Sequence, residues 1–96
     1  MSAYVIVEVE VIDPEGFERY RQMAPKSITQ YGGRYIARGG ETKILEGDWV
    51  PKRIVILEFE SLEQATRWHQ SEEYHEAKNL RNKTANSNMI AVSGVE

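Results

Sequence analysis

The chain has 96 residues, a formal charge of −3 at pH 7 and no cysteine. This length allows one domain, residues 1–96, and the absence of cysteine excludes disulfides, thiolate nucleophiles and thiolate metal sites. The basic residues do not cluster, which disfavours nucleic acid as a partner. No apolar run approaches the roughly 20 residues that span a bilayer, and the start of the chain is unlike a signal peptide. We therefore expect a cytoplasmic protein with no membrane contact.

The first predicted elements are a strand and a helix. Residues 3–12 alternate between a wholly apolar face and a face that mixes isoleucine with glutamate, which predicts a strand. Asp, Pro and Glu at positions 13–15 are typical of a helix start, because they suit the cap, the first turn and the positive end. Pro25 predicts a kink or break near Ala24. The glycine pair at positions 32 and 33 ends the helix.

The rest of the chain predicts two more strands, a helix in two segments and a last strand. Residues 34–38 predict a short strand, residues 41–52 a hairpin-like excursion and residues 53–60 a third strand. A capping box at residues 61–64 opens a helix, and Ser71 restarts it as a second segment. Residues 86–88 predict a polar turn and residues 89–95 the last strand.

The order β-α-β-β-α-β predicts an α+β, ferredoxin-like fold: an antiparallel four-stranded sheet with helices on one face. The other face carries isoleucines 6, 36, 54 and 56 beside acidic residues, and a monomer would leave them in water. We therefore expect a homodimer through this open sheet face. Because the first and third strands are neighbours in this fold, Glu8 and Glu58 are expected to approach each other, with Arg38 in a charge cluster beside them.

Several short motifs make the chain resemble a known family. They are Tyr31-Gly32-Gly33-Arg34-Tyr35, Arg38-Gly39-Gly40, Leu45-Glu46-Gly47-Asp48-Trp49, Arg53, Glu58-Phe59, Ala65, Trp68, Ser71, Tyr74 and Arg81. In this order and spacing they resemble the DUF1330 family, a domain of unknown function. The resemblance implies the dimeric α/β-barrel superfamily, in which two ferredoxin-like sheets pack face to face. Relatives in that superfamily include cofactor-free monooxygenases, muconolactone isomerases and haem enzymes, but a shared fold does not transfer their chemistry.

The histidines give little support for a metal. His69 and His75 are six residues apart rather than three or four on one helical face, so we expect no metal and no cofactor. His69 and Tyr74 are the candidates for a catalytic role, and a surface position is the alternative for either histidine.

The candidate ligand-binding residues are basic and aromatic: Arg38, Trp49, Arg53, Trp68, Tyr74 and Arg81. Each arginine could hold a carboxylate bidentately, or could instead neutralise glutamates at the dimer interface. Trp68 could form an aromatic wall or simply pack in the core. Trp49 could close a pocket or pack on the partner subunit.

Two classes of function remain open from the sequence. In the first, the protein binds or converts a small aromatic or carboxylated metabolite without a metal, near Arg81, Tyr74 and Trp68. Its expected lining is Tyr20, Tyr35, Trp49, Trp68, His69, Tyr74 and Arg81. In the second, it is a non-catalytic dimeric binding or stress-related accessory module. An enclosed pocket holding His69 or Tyr74 beside an arginine would favour the first class, and a solidly filled helix–sheet interface the second.

Overall fold

The computed structural model describes residues 2–95 and has the predicted element order. The elements are β1 (Ala3–Val11), α1 (Pro14–Gln30), β2 (Arg34–Arg38), β3 (Arg53–Phe59), α2 (Leu62–His69), α3 (Glu72–Thr84) and β4 (Ala85–Ser93). The strands form one antiparallel sheet in the order β2-β3-β1-β4. The helices cover one face of this sheet, so the ferredoxin-like fold is confirmed.

Side-chain caps fix the starts of all three helices. Asp13 accepts a hydrogen bond from the Gly16 amide at 3.2 Å, and Ser61 accepts one from the Gln64 amide at 3.1 Å. Ser71 does the same for the Tyr74 amide at 3.1 Å, which separates α3 from α2. Each cap satisfies an amide that has no partner within its own helix.

Three sequence expectations about the elements differ from the structure. Of the predicted kink or break at Pro25, the break does not occur: α1 is continuous from Pro14 to Gln30, because the proline removes one backbone hydrogen bond without ending the packing of the helix on the sheet. Strand β4 begins at Ala85, so the polar residues 86–88 are strand and not turn. They pair with residues 8–10 of β1, which satisfies their backbone groups. Residues 39–52 contain no regular strand, where a hairpin was expected.

The hydrophobic core lies between the sheet and the helices, with Trp68 at its centre. The Trp68 ring is 5.3 Å from the Phe59 ring and 4.2 Å from the Tyr74 ring, measured between centroids. Its indole N–H donates to the Ser27 hydroxyl at 3.1 Å. The large aromatic groups are therefore buried with their polar atoms satisfied.

A β-bulge in β2 reverses the direction of Arg38. Tyr35 pairs with Leu57 and Ala37 pairs with Ile56, which leaves Ile36 as an extra residue in the ladder. Arg38 consequently pairs with Val55 and lies on the helix-covered face, where simple alternation from Arg34 had placed it on the open face.

The predicted cluster of Arg38 with Glu8 and Glu58 is therefore wrong. Glu8 pairs with Ile54, whereas Glu58 pairs with Tyr4, so the two acids lie about four residues, roughly 13 Å, apart along the strands. Glu58 binds Arg34 instead, with the Arg34 Nη2 and the Glu58 Oε1 2.6 Å apart. Arg38 is on the opposite side of the sheet from both carboxylates.

Candidate functional site

A cavity lies under the helices, against the covered face of the sheet. Its apolar walls come from all layers: Val7, Val9, Phe17, Ile28, Val55, Leu57, Trp68 and Met89. Its polar lining is Tyr20, Tyr35, Arg21, Arg38, Arg53 and Arg81. The cavity volume is about 30 Å³. Four arginines thus line one apolar cavity, and no acidic residue does.

Arg38 reaches the cavity because of the bulge and is held there by a helix carbonyl. Its Nη2 donates to the Arg21 backbone carbonyl at 2.6 Å, and its guanidinium lies 4.4 Å from the centre of the Tyr35 ring. This carbonyl would normally accept from the amide four residues later, but that residue is Pro25, which has no N–H. The proline therefore leaves a free acceptor that positions Arg38.

Arg53 begins β3 and lies beside the same space. Its carbon Cζ is 5.7 Å from the centre of the Phe17 ring, and its Nε is buried without a hydrogen-bond partner. Gly39, at φ +68°, packs directly on the guanidinium, so a side chain at this position would displace Arg53. Burial lowers the pKa of Arg53, and the positive charges of Arg21 and Arg38 lower it further. Three guanidinium groups therefore repel one another at this end of the cavity.

Arg81 lies in α3 and is 6% exposed. Its Nη1 donates to the Tyr74 hydroxyl at 2.5 Å and its Nη2 to the Asn82 side-chain oxygen at 3.3 Å, while its Nε has no partner. The Tyr74 hydroxyl also makes a hydrogen bond of 2.8 Å with the Tyr20 hydroxyl. Burial raises the pKa of Tyr74, so this phenol stays protonated. Arg81 is therefore a buried residue whose side-chain partners are neutral.

Carboxylates do not balance this charge. Within residues 2–95, Arg21 is the one cavity arginine in an ion pair, and its partner Glu18, at 2.9 Å, is exposed. Arg38, Arg53 and Arg81 have no carboxylate within 4.0 Å in that part of the chain. Positive charge that is buried without a partner is unfavourable, and an anion in the cavity would offset it.

Of the six ligand-binding candidates, four line the cavity, a fifth contacts one of these four, and the sixth lies elsewhere. Arg38, Arg53, Trp68 and Arg81 line the cavity, and Tyr74 contacts Arg81 from behind. Trp49 lies away from it and is 64% exposed, with its indole N–H donating to Glu8 at 2.9 Å on the open side of the sheet.

The histidines do not reach the cavity. His69 lines a separate groove between α2 and the β4 edge, where burial and then the charges of Lys78 and Arg81 lower its pKa. His75 is exposed and lies 3.2 Å from the Asn79 amide nitrogen. Of the two catalytic candidates, only Tyr74 is next to the arginines.

Sequence reasoning missed Arg21 as part of the site. A helical wheel predicts that Arg21 is exposed to solvent, and its Nη1 does donate to the exposed Glu18 carboxylate. The signal that could have revealed it is Pro25, four residues later, which frees the carbonyl of Arg21 for an outside donor.

Neither a metal cluster nor a membrane helix is found in the described part of the chain. Across residues 2–95, no three His, Asp or Glu side chains are grouped so that they could hold a metal ion. None of the helices in that range is both long and apolar enough to cross a membrane.

Comparison with known proteins places the chain in a family of unknown function. The family described as "Domain of unknown function (DUF1330)" matches residues 2–95. No protein of curated function matches the sequence.

Solved structures share the fold at low sequence identity. A protein of unknown function from Rhodopseudomonas palustris is 17% identical with a TM-score of 0.77, covering 99% of this chain and 83% of its own. SnoaB, a cofactor-independent oxygenase from Streptomyces nogalater, is 10% identical with a TM-score of 0.67, covering 99% and 94%. A dimeric ferredoxin-like protein of unknown function from Jannaschia sp. CCS1 is 10% identical with a TM-score of 0.66, covering 98% and 100%. At these identities the likeness shows the fold alone.

Proposed function

The chain belongs to the DUF1330 family, and we propose that it binds a small molecule with a carboxylate and an apolar or aromatic body in the cavity between sheet and helices. One observation carries the proposal: four arginines and no acid line an otherwise apolar space. A guanidinium has a planar fork of N–H donors that matches a carboxylate, so the ligand's acid group would compensate the buried charge.

Arg38 and Arg53 are the residues proposed to hold the acid group. Both are half-buried, and the charges of Arg38 and Arg21 act on Arg53. The Nε of Arg53 has no partner, so a donor is available without breaking an existing hydrogen bond. The rings of Phe17, Tyr35 and Trp68 would contact the ligand body.

The space in this conformation is small, so binding requires the lining side chains to move. The cavity volume is about 30 Å³, which is room for only about one or two water molecules. Arg38 is the group proposed to move, since only one hydrogen bond, to the Arg21 carbonyl, and one contact with the Tyr35 ring hold its guanidinium. We propose that an acid ligand replaces these contacts.

We also propose that the protein is a homodimer through the open sheet face. Ile6 pairs with Ile56 on one side and with Ile90 on the other, so three isoleucines form a row across this face. Ile36, Ile44, Trp49 and Val92 add exposed apolar surface. A contiguous apolar surface of this kind is typical of an interface, and a standard interface buries about 1,600 Å² in total. The Jannaschia protein of the same fold is described as dimeric.

The second candidate function is a non-catalytic dimeric binding or stress-related accessory module. The observation that favours it is the nearly filled helix–sheet interface. Against it, Tyr74 and Arg81 are buried side by side at the cavity, where a solid core would use apolar residues. The cofactor-independent oxygenase SnoaB has a similar fold, which is consistent with conversion of the bound molecule.

The test is a titration of the protein with benzoate, para-toluate and pentanoate. The fluorescence of Trp68 reports binding once Trp49, the other tryptophan, is replaced by Phe. We expect binding by at least one acid, and Arg53→Met and Arg38→Met should each weaken it about tenfold or more. Arg67→Met is the matched control, because Arg67 pairs with Glu63 on an exposed helix surface. Absence of binding by all three acids, or equal weakening by the control, would contradict the proposal.

A further inference from the structure

We infer that the ligand carries two acidic groups, one held by Arg38 and Arg53 and the second by Arg81 together with the hydroxyl of Tyr20. This inference rests on the proposed function and deepens it, because it names the ligand class as a dicarboxylate with an apolar body. Its evidence is the direction of two hydrogen bonds, from Arg81 to Tyr74 and from Tyr74 to Tyr20, and the number of charged groups that line the cavity.

The direction of the hydrogen bonds follows from Arg81. A guanidinium can only donate, so the Tyr74 oxygen accepts from the Arg81 Nη1. The Tyr74 proton must then point to another acceptor, and within residues 2–95 the Tyr20 oxygen, at 2.8 Å, is the one within reach. Tyr74 is fully buried, so leaving this proton without a partner would be costly.

Tyr20 is consequently left with a free donor. Its oxygen accepts from Tyr74, so its own proton is not used in that hydrogen bond. No other protein group in the described part of the chain lies within hydrogen-bond distance of this hydroxyl, and the side chain lines the cavity. The chain from Arg81 through Tyr74 therefore orients Tyr20 as a donor to whatever fills the cavity.

Arg81 supplies the charge for a second acid group. It is 6% exposed, it lines the same cavity and its Nε is buried without a partner. Its present partners, Tyr74 and the Asn82 side-chain oxygen, are neutral, so its charge is not compensated. A buried guanidinium that lines an apolar cavity and has an N–H without a partner is the arrangement that an anionic oxygen would complete.

The count of charges favours a dianion over a monoanion. Arg21 has an exposed ion pair with Glu18, whereas the other three guanidinium groups that line the cavity have no carboxylate within 4.0 Å among residues 2–95. A single carboxylate at Arg38 and Arg53 would leave Arg81 without a counter-ion. A ligand with two acid groups, separated by an apolar body that contacts the aromatic rings, would supply one carboxylate to Arg38 and Arg53 and a second to Arg81.

The experiment compares acids that differ by one group. Para-toluate and terephthalate differ by a methyl exchanged for a carboxylate, and so do pentanoate and glutarate. Affinities are measured by calorimetry at constant ionic strength for the wild type, Tyr20→Phe, Arg81→Met and the control Tyr31→Phe, whose hydroxyl binds Glu73 outside the cavity. Circular dichroism and thermal unfolding verify that each variant is folded.

In at least one pair we expect the dianion to bind the wild type about tenfold or more tightly than the monoanion. Tyr20→Phe should reduce this ratio about tenfold, because one hydrogen bond to a charged oxygen is lost, while the monoanion affinity stays within about twofold. Arg81→Met should reduce the ratio at least as much, and Tyr31→Phe should leave it unchanged.

The outcomes separate the inference from the proposed function. If monoanions bind and require Arg53, but dianions bind no more tightly, the second acid group is excluded and the proposed function stands. If the dianion advantage survives both Tyr20→Phe and Arg81→Met, the location of the second group is wrong. If neither member of either pair binds, both the inference and the proposed function are overturned. If Arg81→Met does not fold, Tyr20→Phe alone decides, since it keeps the ring and removes only the hydroxyl.

Discussion

The two faces of the sheet handle charge in opposite ways. On the open face, glutamates lie next to exposed donors: Glu58 binds Arg34, and Glu8 accepts from the Trp49 indole. On the helix-covered face, Arg38, Arg53 and Arg81 share one apolar cavity and none has a carboxylate partner within residues 2–95. Exposed pairs contribute little either way, whereas uncompensated buried charge lowers stability. The covered face therefore carries charge that lowers the stability of the fold, and the proposed ligand site would account for it.

The largest expected effect lies in the core of the covered face. Trp68→Ala should lower the free energy of unfolding by about 3–5 kcal/mol, because it removes a fully buried ring that contacts Phe59 and Tyr74. Urea denaturation monitored by circular dichroism measures this change. Trp68→Phe is the control: it keeps an aromatic ring but loses the hydrogen bond to Ser27, so it should cost less. Equal effects of the two variants would contradict the packing described here.

A charge on the open face tests the dimer. Ile56→Asp places a carboxylate in the row that Ile56 forms with Ile6 and Ile90, so the dimer should dissociate at least about a hundredfold more readily. Sedimentation equilibrium over a range of concentrations measures this. Leu62→Asp is the matched control, since Leu62 is exposed at the start of α2, away from the open face. A wild type that sediments as a monomer at micromolar concentration, or a variant that stays dimeric, would refute the interface.

Removing a cavity charge should raise stability. Arg53→Met keeps much of the volume and removes a guanidinium that burial and two neighbouring arginines disfavour, so we expect a gain of about 1 kcal/mol without ligand. The same change at Arg34 removes an exposed ion pair and should cost at most about 1 kcal/mol. Thermal unfolding of both variants measures the contrast. A clear loss of stability in Arg53→Met would mean that this charge is compensated in the native state.

The smallest expected effect is a pH dependence from His69. Burial lowers the pKa of this imidazole in the folded state, so below the unfolded pKa, about 6.5, the unfolded chain binds a proton more readily. Stability should therefore fall as the pH decreases through about 6.5, and the loss should level off below the folded pKa. His69→Gln should flatten this part of the profile, whereas His75→Gln, at an exposed position, is the comparison. Unfolding midpoints measured at closely spaced pH values test this. If His69→Gln shows the same dependence of stability on pH as the wild type, His69 is not responsible.

The element order and the starts of the helices could be predicted from the sequence because they depend on neighbouring residues. Asp13, Ser61 and Ser71 each cap the helix that follows them within three residues. The alternation along β1 places its valines under the helices, and the short motifs led to the family that matches residues 2–95. These features require no knowledge of what the strands pair with.

The tertiary structure decided which arginines meet. Strict alternation placed Arg38 on the open face, but a bulge at Ile36 moves it to the other side, and a bulge depends on the pairing with β3. Arg21 joins the cavity, and Pro25 leaves its carbonyl free for a residue of β2 that is distant along the chain. Charges far apart in sequence are brought together only by sheet register and helix packing. The sequence pattern and motifs therefore predict the fold of this protein. The candidate site depends on contacts between residues that are distant in the chain, and local patterns do not predict these contacts.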